Sequence, residues 1–78
     1  MKVLSERPLT SRAERAMHLA DAAASELGNG YIGTEHLLLG LVADERAPAA
    51  RVLKSLGITE ATIREALLAH GLPPKDTV

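Results

Sequence analysis

Residues 28–33 read Gly-Asn-Gly-Tyr-Ile-Gly, and Thr34, Glu35 and His36 follow directly. Three glycines in G-x-G-x-x-G spacing are the pattern of a loop that lets a backbone approach a dinucleotide pyrophosphate. That chemistry needs a strand before the loop, a helix after it and an acidic residue about 20 positions further on. Here a helical pattern precedes the loop, and no segment alternates with period two. The glycines therefore read as structural: Gly28 closes a helix, Gly30 serves the loop, and Gly33 allows a close approach before the next helix. An anion site remains open, because the helix beginning at Thr34 presents unpaired amides and a positive dipole end. Glu35 beside it repels a simple anion, so the ligand that suits both features carries one anionic and one cationic group.

The other reactive side chains form no recognisable constellation. His18, His36 and His70 lack paired metal-ligand spacing and there is no H-E-x-x-H, so no metal is expected. Ser5, Ser11, Ser25 and Ser55 have no base partner and no strained elbow, so no catalytic residue is expected. Glu14, Asp21 and Glu26 read as solvated; Arg12 and Arg15 suit an exposed helix face or an acidic partner. His36 is expected to pack or hydrogen-bond beside the cap, and His70 to sit near a helix end. Residues 52–67, VLKSLGITEATIREAL, place a helix, a glycine turn and a capped helix in helix-turn-helix-like spacing. A DNA-binding protein is thus the alternative reading. Against it stand Glu60 and Glu65 on the approaching surface and a net charge of −1, without the basic excess that phosphate binding requires.

Four elements must position these residues. Thr10 and Ser11 are alternative caps for the first helix, Ser11 with Glu14 in capping-box spacing. Ala13, Ala16, Met17, Ala20, Ala23, Ala24 and Leu27 give it an apolar stripe that ends at Gly28. Thr34 is the expected cap of the second helix, with Glu35 complementing its dipole. Leu37, Leu38, Leu39, Leu41 and Val42 surround that helix, so it reads as buried on all sides, and Asp44-Glu45-Arg46 returns to solvent. Pro48 opens a third helix with the face Ala49, Val52, Leu53 and Leu56, stopped by Gly57. Thr59 caps a fourth, with Ile58 and Ile63 at hydrophobic-staple positions and a Glu60–Arg64 pair. Its face is Ile63, Ala66, Leu67 and His70, ended by Gly71 and Pro73-Pro74.

The chain has 78 residues, no cysteine, no Phe or Trp and a single aromatic, Tyr31. One small all-α domain of four short helices is expected, its core built from Leu, Ile, Val, Ala and Met. No apolar run approaches the ~20 residues of a membrane span. The opening MKVLSERPLT has charges and a proline where a secretory leader needs an apolar stretch. With no cysteine, the expected setting is the reducing cytoplasm, with no membrane or nucleic-acid partner.

The run from Tyr31 to Leu41, YIGTEHLLLGL, resembles the signature of the Clp N-terminal repeat, found on ClpA- and ClpC-type ATP-dependent unfoldases. Leu9-Thr10 and Ala13 resemble the repeat's opening. Ala49 to Leu53 with Leu56-Gly57-Ile58 resemble its third helix and following turn. The resemblance implies an N-terminal arm (1–8), one repeat (9–72) and a tail (73–78). It further implies half of a domain that is ordinarily two repeats packed about a pseudo-twofold axis, and no ATPase of its own. A lone repeat would expose the face that meets its sister, so a homodimer or an excised half is expected. The implied function is a non-catalytic module without cofactor, whose partners are a Clp-type AAA+ unfoldase, its adaptors or its substrates. In the ClpC branch the helix starting with this motif is similar to a receptor for phosphorylated arginine. Carried over residue by residue, that implies a ligand site at Gly33, Thr34, Glu35 and His36.

Overall fold

A computed structural model of the chain describes residues 6–70. The first five residues of the expected arm, the Gly71 stop, Pro73-Pro74 and the tail lie outside the described residues. Among those described, four helices and no strand are present: α1 (Ser11–Glu26), α2 (Thr34–Ala43), α3 (Pro48–Ser55) and α4 (Glu60–Ala69). The all-α expectation is met.

Local chemistry sets most of the boundaries. Thr10 caps α1, its hydroxyl accepting the Ala13 amide at 3.1 Å. Its carbonyl also accepts the Glu14 amide at 3.0 Å. Beginning there gives the helix one more bond than a start at Ser11, so the Ser11–Glu14 capping box is not formed. α1 and α3 both end in Schellman turns around a left-handed glycine, Gly28 at φ 74° and Gly57 at φ 81°. Asn29 N–H donates to the Ala24 carbonyl at 2.9 Å, and Ile58 N–H to that of Leu53 at 2.9 Å. Pro48 opens α3. Thr59 caps α4 reciprocally with Thr62, whose hydroxyl accepts the Thr59 amide at 2.8 Å.

Helix α2 is the hub: α1, α3 and α4 each pack against it, while their backbones keep clear of one another. The closest crossing is α1 on α2. A Cβ added to Gly40 would collide with the Ala16 carbonyl oxygen and stand 2.8 Å from the Ala20 amide nitrogen. Glycine there lets the helix backbones touch, and Ala20 is fully buried beneath it. Ala23, Leu39, Val42 and Ile63 form the core, with Leu53, Ile58 and Leu67 against it.

Several expectations about burial need correction, among them Met17 and Leu27 of the α1 stripe and Ala66 and His70 of the α4 face, all of which are exposed. α2 is not covered on all sides: Leu38 and Leu41 are 37% and 39% exposed, because three neighbours leave one face of the hub unwalled. The inward face of α3 is Ala50 and Leu53, not the whole expected stripe; Val52 and Leu56 are 58% and 69% exposed. Asp44 does not return to solvent but is 7% exposed, held by Arg12 Nη1 at 2.9 and 3.0 Å, with Arg15 Nε at 3.6 Å. Arg12 and Arg15 thereby tie the start of α1 to the end of α2. The hydrogen bonds from Arg12 hold the Asp44 carboxyl below the usual carboxylate range. The Arg46 amide and the two guanidinium charges act in the same direction, against the opposing effect of burial.

Two outcomes are expected. Gly40→Ala should destabilise the fold by about 1–3 kcal/mol through overpacking, read as a drop in Tm of about 4–8 °C per kcal/mol for a domain this small. The Asp44 pKa is lower folded than unfolded, so its contribution is complete above about pH 4 and lost as pH falls through the folded value. A melting series at descending pH should show an acid limb that Asp44→Asn flattens.

Candidate functional site

The segment joining α1 to α2 is organised by one imidazole. His36 stands at the third position of α2 and is 0% exposed. Its Nδ1 accepts the Gly33 amide proton at 2.7 Å, and its Nε2 lies 2.8 Å from Asn29 Oδ1. An acceptor at Nδ1 and an acceptor facing Nε2 place the ring proton on Nε2, so the neutral ring satisfies both neighbours. The Tyr31 ring meets it edge-on, with centroids 5.6 Å apart. Asn29 is itself fixed, since its amide closes the end of α1. The histidine thus ties the end of one helix to the start of the next.

The cap of α2 is Gly33 rather than Thr34, which is already helical. Glycine has no side chain to offer, so the capping is one-sided: the histidine three residues on reaches back to the Gly33 amide. The His36 and Leu37 amides donate to the Gly33 carbonyl, each at 3.1 Å. Of the donors a helix start leaves without intrahelical partners, those of Thr34 and Glu35 remain. Thr34 is exposed, and the Glu35 carboxylate folds against Gly33, where an added Cβ would meet it. The structure therefore brings Gly33, Thr34 and Glu35 to one surface at the positive end of α2 and buries His36 below. That surface combines two amides, a hydroxyl and a carboxylate, suited to binding rather than to bond-making.

His18 and His70 are exposed and do not join His36. Among the described residues no cluster of three or more His, Cys, Asp or Glu could hold a metal. Sequence reasoning missed Asn29, whose polar side chain occupies the position after the C′ glycine where an apolar contact is usual; that exception was the available signal. It also missed a groove of about 320 Å³ between α1, α2 and α4, floored by Leu19, Ala23 and Leu39. At its rim Arg64 joins Glu26 at 2.6 Å and Glu60 at 3.0 Å. These carboxylates hold the guanidinium pKa above its ordinary value. The Glu60–Arg64 pair was expected; Glu26 was read as merely solvated. For the helix-turn-helix alternative, α3 and α4 each rest on α2 instead of on each other, and Glu65 is exposed. That reading is not favoured.

Comparison with known proteins agrees with this architecture. A family described as the Clp repeat (R) N-terminal domain matches residues 8–75. The chain is 48% identical over 62 residues to an ATP-dependent Clp protease ATP-binding subunit, the ClpA homolog of Porphyra purpurea, covering 80% of this chain and 8% of that protein. It is 50% identical over 62 residues to the chloroplastic chaperone protein ClpC2 of Oryza sativa subsp. japonica, covering 80% of this chain and 7% of the relative. The chloroplastic ClpC of Pisum sativum is 48% identical over 62 residues, with the same 80% and 7% coverage. The chain thus spans 7–8% of the length of these relatives.

Replacing His36 with Leu should leave the Gly33 amide and the Asn29 side-chain oxygen without the imidazole as partner, costing about 1–3 kcal/mol for an unsatisfied buried group. Denaturant titration should show that loss, with faster hydrogen exchange at Gly33, while His18→Ala on the exposed face leaves stability within about 0.5 kcal/mol.

Proposed function

The chain belongs to the Clp repeat N-terminal domain family, and from that premise we propose that it is a non-catalytic recognition module of a Clp chaperone–protease system. It engages adaptors or tagged substrates, or regulates the unfoldase that uses them. The observation that carries this reading is the start of α2, where an imidazole-locked loop holds Thr34 and Glu35 at a helix terminus. A phosphorylated arginine suits that surface. Its phosphate would meet the Thr34 hydroxyl and the amides of Thr34 and Glu35, favoured by the helix dipole. Its guanidinium would pair with the Glu35 carboxylate, a charge-assisted contact. Gly33 and His36 take no part in the chemistry beyond shaping and fixing the loop.

The reading includes self-association as a homodimer. Val52, Leu56 and Leu68 are 58%, 69% and 82% exposed, and large apolar patches are uncommon on soluble monomers. Lack of cysteine suits work in a reducing compartment such as the cytoplasm. Among the described residues no helix is long and apolar enough to cross a membrane.

Titration of free phosphoarginine into labelled protein, followed by backbone amide shifts, tests the site. Saturable shifts from Gly33 to Leu37 are expected, absent in Glu35→Ala and not reproduced by inorganic phosphate at the same concentration. No shift at millimolar ligand would reduce the motif to a helix start and end the phosphoarginine reading.

A further inference from the structure

Two ionisable side chains are buried among the described residues, Asp44 and His36. Asp44 has its countercharge in Arg12; the imidazole has none. Its two nitrogens are engaged in opposite senses. Nδ1 accepts the Gly33 N–H at 2.7 Å, and Nε2 donates to Asn29 Oδ1 at 2.8 Å. An imidazolium carries a proton on each nitrogen and accepts at neither. A proton added at Nδ1 would point at the Gly33 N–H, donor against donor. The Asn29 bond survives protonation of the ring, and the Gly33 bond cannot.

The surroundings offer a charged ring no compensation. The buried residues of α1 are all alanine: Ala20, Ala23 and Ala24. Asp21 and His18 on that helix are exposed, and Glu26 is bound to Arg64. On α4, Glu60 shares the same arginine, while Glu65 and His70 are exposed. Helix α3 brings only Arg51 and Lys54, both exposed, and Glu6 and Arg7 ahead of α1 are exposed as well. Asp44 and the two arginines on it lie at the opposite end of α2. Between α1 and α2 the one ionisable side chain is Tyr31, whose ring meets the imidazole edge-on. Glu35 turns its carboxylate to Gly33, and no ion pair among the described residues reaches His36.

We propose that the joint between α1 and α2 is a proton-operated latch: protonation of His36 at Nδ1 releases the Gly33 amide and loosens the start of α2, where Thr34 and Glu35 stand. Gly33 is the cap residue, and its carbonyl receives the His36 and Leu37 amides; releasing its amide unfixes the peptide on which the first turn is built. The latch is closed while the ring is neutral and opens as pH falls. Histidine ordinarily changes charge between about pH 5 and 8, and carboxylates near about pH 4, so mild acid works the latch while Asp44 stays charged. Its bearing on recognition rests on the phosphoarginine reading, since acid then withdraws the prepared surface. The latch itself needs no ligand.

The test takes the whole, ligand-free, ¹⁵N-labelled chain from about pH 7.5 to about pH 5. The ring-nitrogen shifts of His36 report which nitrogen carries the proton. Hydrogen-exchange protection at Gly33, corrected for the intrinsic pH dependence of exchange, reports the bond. At the upper pH only Nε2 should be protonated. As Nδ1 gains its proton, Gly33 protection should fall in step by about tenfold, the loss of one partly buried hydrogen bond, while the Leu39 amide in mid-helix holds. His36→Gln keeps an acceptor three residues after the cap but takes up no proton, so its Gly33 protection should stay level. His18→Ala should behave as wild type. A ring that stays neutral to the lower limit would overturn the latch. So would protonation with Gly33 protection unchanged, or an equal loss in His36→Gln. Each of these leaves the phosphoarginine reading standing, because no ligand is present; an unresponsive phosphoarginine titration likewise leaves the latch intact.

Discussion

The fold depends on how closely α1 and α2 cross. At Gly40 the backbone of α2 meets the backbone of α1 at Ala16 and Ala20, with no room for even one methyl group. A chain without Phe or Trp has few large side chains to fill a wide interior. Bringing helices to backbone contact is the alternative way to exclude water, since dispersion and burial then come from Ala20, Ala23 and Ala24 rather than from bulky groups. Leu39 and Val42 are placed by that crossing, and Ile63 of α4 closes over them.

With so small a core, the outer helices are held as much at their edges as at their centres. Arg12 fastens the start of α1 to the end of α2 through Asp44, and Arg64 fastens α4 to α1 through Glu26. The two ties differ in setting. Asp44 is nearly buried and receives two short charge-assisted bonds in fixed geometry. Glu26 is largely exposed, so solvent screens its pair and the tie contributes less to stability than to the shape and charge of the groove it borders.

The loop before α2 follows the same economy. One histidine accepts the amide of the cap residue, as Thr62 does at the start of α4, while also gripping Asn29 at the end of α1. Because both its nitrogens are engaged inside, the surface above is left to Thr34 and Glu35. A binding surface on a helix terminus gains precision when the loop leading into it cannot drift, since orientation is then settled before the ligand arrives.

Local pattern alone determined the four helices, the glycine stops at Gly28 and Gly57, the Pro48 start, the Thr59 cap and the block YIGTEHLLLGL that marks the family. Each rests on neighbours within about five residues, where backbone geometry and side-chain chemistry act directly. Periodicity also identified the apolar positions, but not which of them would be covered. Val52 and Leu41 have the same kind of pattern as Leu53 and Leu39, yet only the latter pair has a helix to lie against. Asp44 sits in a run as polar as any loop, and its burial depends on an arginine 32 residues away. The joining of Glu26 to Arg64 spans 38 residues, and with it the groove they border. Such features belong to the tertiary structure because burial counts the surfaces that arrive from elsewhere in the chain, and a local pattern holds no record of them.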